Sequence, residues 1–399
     1  MPKRATGRHE RTTVGGEEVA AFVPHALPPA DPPIVVGAAL AERLRAAEQA
    51  LVRLELAGEM VPSLDWFIYA FVRKEAVLSS QIEGTQATLV DLLTFEAQDG
   101  GEHSAAPNAD VEEVCNYLDA LAYSRAQLAD PKGLPLSMRL LNETHARLMR
   151  GMRGAEKLPG EVRRSQNWIG GSRPGNAAYV PPPPHALGEL LGAFEKYLHA
   201  NDALPPLVRA GLVHVQFETI HPYLDGNGRI GRLLVTLLLE HWKLLTKPLL
   251  YLSLFFKRHR EEYFRRLTAV RALGDWEGWL DFFLDGVATI ADEAVASARE
   301  LFALVAADRA RVLAVEGISV VALRLFELLP RHPIVTVAAV MKLIDTTKPT
   351  AGRAIELLET AGVLVETTGK KRDRSFVYRT YLDRLRVGTE LGGAPRTRA

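Results

Sequence analysis

The chain is poor in cysteine, in net charge and in unbroken apolar runs, and each shortage removes a class of function. Cys115 is the only cysteine in 399 residues, so no disulfide can form within the chain and a reducing compartment fits. It sits in VEEVCNYLDALAY, where an apolar helix face accounts for it without nucleophilic chemistry. Lys and Arg total 48, as do Asp and Glu, for a formal net charge of +0. No whole-molecule field therefore draws the chain to nucleic acid or membrane, and any such attraction must come from a local patch. The most apolar stretch, LLVTLLLEHWKLL, is interrupted by Glu240, His241 and Lys243 and is too broken to span a bilayer. The opening, MPKRATGRHERTTVGGEE, is basic but is followed by no apolar core of signal-peptide length. The expectation is a soluble, cytoplasmic protein with no membrane partner.

What is present is ordinary for a globular chain of two or three domains: 47% hydrophobic and 24% charged residues. Residues 1–35 are rich in Pro, Gly and charge, end in PHALPPADPP, and read as an extended arm. Residues 36–110 read as an N-terminal helical region, 111–310 as a helical core, 311–386 as a smaller domain and 387–399 as a disordered tail. Helical periodicity covers GAALAERLRAAEQALVRLELAG, SLDWFIYAFVRKEAVLSSQIEG, and the runs Asp110 to Leu128, Ser137 to Arg150, His185 to Ala200 and Pro206 to Thr219. It continues from Gly228 to Leu245 and, as one run, from Arg260 to Asp308. One interruption, EVRRSQNWIGGSRPGNAAYVPPPPHAL, holds two short extended segments around Gly, Ser and Pro and reads as a β-hairpin. Its four consecutive prolines forbid helix until His185. Near the C-terminus VVALRLFELL, VTVAAVMKLI and TKPTAGRAIELLETAG read as three helices, and GVLVETTGKKRDRSFVYRTY as two strands with a basic turn. That outline is a winged helix-turn-helix. The fold class is mainly α: a helical bundle with a β-hairpin, plus a C-terminal winged helix.

The chemistry concentrates in HPYLDGNGRIGR, His221 to Arg232. Gly226 and Gly228 let the backbone bend sharply and bring its amides close to an anion. A helix begins at once, so the amides of Asn227, Gly228 and Arg229 lie at a helix N-terminus, where orphan donors and the dipole favour phosphate. Arg229 and Arg232 are three apart and project near one face, and their planar forks suit phosphate oxygens. Asp225 offers the hard oxygen that magnesium prefers, with phosphate oxygens and waters completing the shell. His221, titrating near neutrality, can take a proton from an attacking hydroxyl. Together these residues read as phosphoryl or nucleotidyl transfer. Two rival chemistries exist: His221 as a covalent nucleophile, and GNGRIG as a dinucleotide fingerprint. The fingerprint lacks its preceding apolar strand and the acidic residue about twenty positions on, where LLYLSL stands. A plain Gly-Asn turn accounts for the glycines but not for His, Asp and both arginines together.

HPYLDGNGRIGR closely resembles the signature of the Fic/DOC family, H-P-F-x-D-G-N-G-R-x-x-R, departing only where Tyr223 replaces Phe. The resemblance covers roughly Asp65 to Asp285. It implies a protein adenylyltransferase with His221 as general base and Asp225 holding Mg2+ between the α- and β-phosphates of ATP. Asn227 and the amides near Gly226 and Gly231 would hold the α-phosphate, and Arg229 and Arg232 the β/γ end. Glycine at 228, where the phosphotransferase relatives carry lysine, implies AMP transfer. EVRRSQNWIGG resembles the family's flap, which pairs with an extended target segment; Ser165, Gln166, Asn167, Trp168, Ile169 and Gly170 would carry that contact. SSQIEG matches the family's inhibitory pattern, so Glu83, with Ser79 and Gly84, would pair with Arg232 and misalign the nucleotide. Related enzymes use this glutamate to remove AMP, so the reverse reaction stays open.

The expected partners are a target protein bearing Ser, Thr or Tyr, the chain itself as a substrate, and a second copy in a homodimer through Fic or tail surfaces. Lys348, Arg353, Lys370, Lys371, Arg372 and Arg374 make the C-terminal domain locally basic and suit DNA. The alternative function is accordingly a nucleotide-sensing, DNA-binding regulator. Tyr263 and Trp279 are aromatic candidates near the nucleotide, although core packing also explains both.

Overall fold

A computed structural model describes residues 4–59, 64–98, 108–151, 157–370 and 372–391. From the N-terminus come strands β1 (Gly7–Val14) and β2 (Glu17–Pro24), then helices α1 (Ala38–Glu59), α2 (Leu64–Ile82), α3 (Leu89–Gln98) and α4 (Ala109–Ala129). Helices α5 (Met138–Leu148), α6 (Pro184–Leu198), α7 (Pro206–Ile220), α8 (Asn227–His241), α9 (Ser253–Arg258), α10 (Arg260–Leu273) and α11 (Trp276–Leu313) follow. The C-terminal part adds α12 (Val320–Leu328), β3 (Ile334–Thr336), α13 (Val337–Ile344), α14 (Lys348–Thr360), β4 (Val365–Glu366), β5 (Ser375–Val377) and α15 (Arg379–Leu385). The chain is mainly helical, as the periodicity indicated. Among the described residues no helix is long and apolar enough to cross a membrane.

Two compact units result, one of residues 1–53 with 116–291 and the other of 54–115 with 292–399. They cut across the linear domain order expected from sequence.

The first unit is built around α7. Every residue from Leu207 to Ile220 is buried, the signature of a helix enclosed on all sides. Helix α8 packs against it at close range. His214 on α7 donates through Nδ1 to the carbonyl of Gly231 on α8 at 3.1 Å, and its Nε2 accepts the Tyr263 hydroxyl at 2.8 Å. Burial pushes this ring down to about 3, so it stays neutral. A Cβ at Gly231 would stand 2.5 Å from Glu218 Oε1, so a larger residue here requires the Glu218 carboxylate to move aside. Trp279 donates to the carbonyl of Gly211 at 2.9 Å. Tyr263 and Trp279 are therefore core residues of the bundle.

Three expectations need correction in this unit. The N-terminal arm is a β-hairpin, β1 pairing antiparallel with β2. Gly15 and Gly16, with φ of 57° and 85°, supply the two positive-φ residues of a tight hairpin turn, and composition alone hid that signal. Conversely, the hairpin expected over 161–184 is reduced to one antiparallel bridge, Ile169 to Tyr179, because the run of prolines that follows has no amides to extend a ladder. The single helix expected from Arg260 to Asp308 breaks at Gly274, which caps α10 with φ 70° while its carbonyl accepts Arg4 Nη1 at 3.1 Å. Helix α9 was not anticipated, nor was α3 of the second unit.

In the second unit α2 ends in a complete Schellman cap. Gly84, φ 106°, donates to Gln81 O at 3.1 Å and Thr85 donates to Ser80 O at 3.2 Å. Gly84 thus ends the helix as expected. Glu96 of α3 accepts Arg73 Nη2 at 2.7 Å and the Tyr69 hydroxyl at 2.5 Å, both from α2. Helix α3 packs against β3. Helices α12, α13 and α14 pack together, and the three short strands form an antiparallel sheet in the order β3-β5-β4. The three helices expected from the sequence are present, and β3 and α15 come in addition. The tail expected to be disordered from 387 is in fact tied down over its first residues: Thr389 is buried and its carbonyl accepts Gln81 Nε2 at 2.9 Å. The remainder, 392–399, and Lys371 lie outside the described residues.

Candidate active site

Residues 221–226 link α7 to α8, so two tightly packed helices fix both ends of the motif loop. His221 is the C-cap of α7, in the left-handed conformation with φ 51° and ψ 63°. For a non-glycine residue that conformation costs roughly 1–2 kcal/mol, and the surrounding structure must enforce it. The His221 amide donates to Phe217 O at 2.9 Å, and its carbonyl accepts Arg163 Nε at 2.9 Å. At this turn His221 is half-buried.

Asn227 closes the loop from the other side. Its Oδ1 accepts the Tyr223 amide at 2.9 Å, and its Nδ2 donates to the Tyr223 carbonyl at 2.8 Å. One of the two hydrogens of this side-chain amide is thus committed to closing the loop. The first-turn backbone amides of α8 are left for the anion role. Gly226, φ 76°, is the N-cap of α8; a Cβ there would stand 3.0 Å from Met149 Sδ and 3.3 Å from His145 Nε2. Gly228 follows in the first turn of the helix, half-buried.

Sequence reasoning missed the support beneath this loop. His145 on α5 stacks on Tyr223, with ring centroids 3.9 Å apart and planes within 5°. The Gly160 amide donates to His145 Nδ1 at 2.9 Å, so the ring proton sits on Nε2, which donates to the Asp225 carbonyl at 3.0 Å. Burial lowers His145 to about 4, and the neighbouring Arg229 charge adds to that. Tyr223 is fully buried and its hydroxyl finds Asn142 Oδ1 at 2.8 Å, the partner that Tyr in place of Phe demands. Burial raises its pKa.

Asp225 points outward, its side chain 48% exposed, while Oδ1 accepts the Gly226 amide at 2.6 Å. Arg229 and Arg232 are both buried, and Arg229 Nη2 lies 3.4 Å from Asp225 Oδ1. A half-exposed carboxylate beside helix-start amides suits a hard divalent cation that also has phosphate ligands. Among the described residues no group of three His, Cys, Asp or Glu side chains could hold a metal alone, so a cation here would need ligands brought by the nucleotide.

The segment resembling a flap divides in two. Gln166 turns inward, donating to Pro181 O at 2.7 Å, and Asn167 Nδ2 reaches the Tyr223 carbonyl at 3.3 Å. Ser165, Trp168 and Gly170 are exposed and Ile169 is half-buried. The opposite limb is flanked by the N-terminal hairpin: Phe22 N donates to Val180 O at 2.9 Å, and Glu17 accepts Arg173 Nη1 at 2.6 Å and the Gly175 amide at 3.0 Å. Ser79 is fully buried in α2, and Glu83 is an exposed residue in the turn that follows it.

Residues 41–126 match the family model for the Fic/DOC family N-terminal region, and residues 135–239 match that for the Fic/DOC family. The chain is 34% identical over 167 residues to the protein adenylyltransferase Fic of Drosophila grimshawi, covering 40% of this chain and 31% of that protein. It is 30% identical over 175 residues to that of Aedes aegypti, covering 43% and 32%. The matches thus take in about a third of these relatives' length. A crystal structure of a Fic family protein from Desulfovibrio desulfuricans G20 superposes with TM-score 0.56 at 21% identity, over 87% of this chain and 97% of the other. Fic-1 from C. elegans does so with TM-score 0.51 at 21% identity, over 67% and 74%. These two structures share the fold.

Proposed function

The chain is a Fic/DOC-family protein, and on that premise we propose that it transfers AMP from ATP to a hydroxyl side chain of a target protein, under a brake supplied by Glu83. The observation carrying this reading is the loop that opens α8: a left-handed His221 at one end, helix-start amides and two buried arginines at the other, and the Asp225 carboxylate between them. A phosphate-binding helix start beside a histidine fits nucleotidyl transfer better than simple anion binding, which needs no base.

His221 takes the proton of the target hydroxyl as its oxygen bonds to the α-phosphorus, and the bond from that phosphorus to the pyrophosphate oxygen breaks in line. The amides of Asn227, Gly228 and Arg229 stabilise charge growing on the α-phosphate. Arg229 and Arg232 hold the departing β/γ end. Asp225 would hold Mg2+, which supplies neutralisation of phosphate charge when bound. The exposed limb at Ser165, Trp168 and Gly170 serves as the edge to which an extended target segment, in trans or from the chain itself, adds. Glu83 restrains the reaction by engaging Arg232 so that the nucleotide binds out of line, and the same carboxylate supports AMP removal.

In the C-terminal domain Lys348, Arg353, Lys370, Arg372 and Arg374 are exposed, with Arg353 paired to Glu356 at 3.3 Å. These charges support a winged-helix contact to DNA phosphates as an additional, non-catalytic role. A homodimer remains part of this proposal for the intact protein, to be read by sedimentation.

The test is label transfer by the Glu83→Gly chain with magnesium and ATP labelled at either the α- or the γ-phosphate. Protein labelled from the α position alone supports AMP transfer. Label from the γ position alone makes the chain a phosphotransferase and overturns the proposal.

A further inference from the structure

Among the described residues Arg163 is the polar member of the largest fully buried side chains, and the motif-based reading leaves it without a role. It is 2% exposed, and it grips both the motif loop and the flap. Its Nε donates to the His221 carbonyl at 2.9 Å and its backbone amide donates to the Pro222 carbonyl at 2.9 Å. Its Nη2 donates to Pro182 O at 2.5 Å and its Nη1 to Ser165 O at 3.2 Å. One planar guanidinium therefore joins the outgoing root of the flap, the returning root and the carbonyl of the proposed base. Burial lowers it to about 10, leaving it charged at neutral pH.

From this geometry we infer that Arg163 is a positioning residue for His221, which couples the seating of the flap to the aim of the imidazole. The inference rests on the proposed role of His221 as base. His221 occupies a backbone conformation that a non-glycine residue does not hold unaided. Two backbone bonds help enforce it, one from its own amide to α7 and one from Arg163. The α7 bond is fixed by the helix. The Arg163 bond is the one whose other ends lie on the flap, so a target strand that draws Ser165 or Pro182 into place also fixes the His221 carbonyl. Lysine carries the charge but offers a single donor centre, so it cannot span three carbonyls as the fork does.

The test uses the full chain as wild type, Arg163→Lys and Arg163→Ala, with three readouts: AMP transfer rate, ATP affinity by calorimetry, and the imidazole NMR signals of His221 alongside hydrogen exchange at Ser165 to Ile169. Positioning predicts a transfer rate lower by at least about tenfold in both variants, with ATP affinity within about twofold because α8 holds the nucleotide. It also predicts partial recovery of Arg163→Ala by added guanidinium ion. The His221 signals and the flap exchange must change together. If transfer by wild type is undetectable even after Glu83→Gly, the catalytic reading fails, and the NMR and exchange pair still decides the coupling. Unperturbed His221 signals in Arg163→Ala, or an ATP affinity that falls in step with the rate, would overturn the inference.

Discussion

Asn227 holds Tyr223 by both of its backbone polar groups, accepting the amide at 2.9 Å and donating to the carbonyl at 2.8 Å. The motif loop is thus closed by a side chain that sequence alone assigned to the nucleotide. Asn227→Ala should cost about 2–4 kcal/mol, since two buried bonds lose their partner, and should abolish nucleotide binding by opening the loop. Denaturant unfolding and calorimetry with ATP read the two effects; a stable variant that merely binds ATP more weakly would restore the direct phosphate role.

The two buried histidines give the first unit an acid limit. His145 sits at about 4 and His214 at about 3 in the folded chain, both below the ordinary value near 6.5. Unfolding therefore takes up protons as pH falls below about 6.5, so stability is intact above that pH and lost toward pH 4. For His145 alone the loss approaches about 3 kcal/mol. Urea midpoints between pH 7.5 and 4.5 should fall accordingly, and His145→Gln should flatten the slope by up to about one proton.

Gly231→Ala places a Cβ 2.5 Å from Glu218 Oε1. The Glu218 carboxylate has to swing aside while the α7–α8 crossing is kept, and the expected penalty is about 1 kcal/mol, read as a slightly lower thermal midpoint; a loss of several kcal/mol would show that the crossing itself opens.

Gln81, two residues ahead of Glu83, donates through Nε2 to Ala87 O at 2.8 Å and to Thr389 O at 2.9 Å. Gln81→Ala should loosen the turn carrying Glu83, speeding hydrogen exchange at Glu83 to Thr85. If Glu83 is a brake, basal transfer should rise severalfold. Faster exchange without any rise in rate would separate the anchor from the brake.

The legible part of this protein was the part whose chemistry is contiguous. His221, Asp225, Gly226, Asn227, Arg229 and Arg232 fall within twelve positions, so spacing alone placed them on one loop and the helix start that follows it. Arg163, Asn142 and His145 support the same loop from 58, 81 and 80 residues away, and no local pattern reveals such contacts. Gly15 and Gly16 did carry a hairpin signal, masked by the prolines and charges around it. The break at Gly274 is a left-handed glycine cap whose carbonyl also accepts Arg4 from the far end of the chain, and helical periodicity passed over it.

The central claim is His221-dependent AMP transfer under restraint by Glu83. Its most direct test compares wild type, Glu83→Gly and the Glu83→Gly/His221→Ala double variant with magnesium and α-labelled ATP, reading label on protein in the presence of cell lysate. The account predicts weak labelling by wild type, strong labelling by Glu83→Gly and none by the double variant. No label from any variant, or equal label from all three, would contradict it.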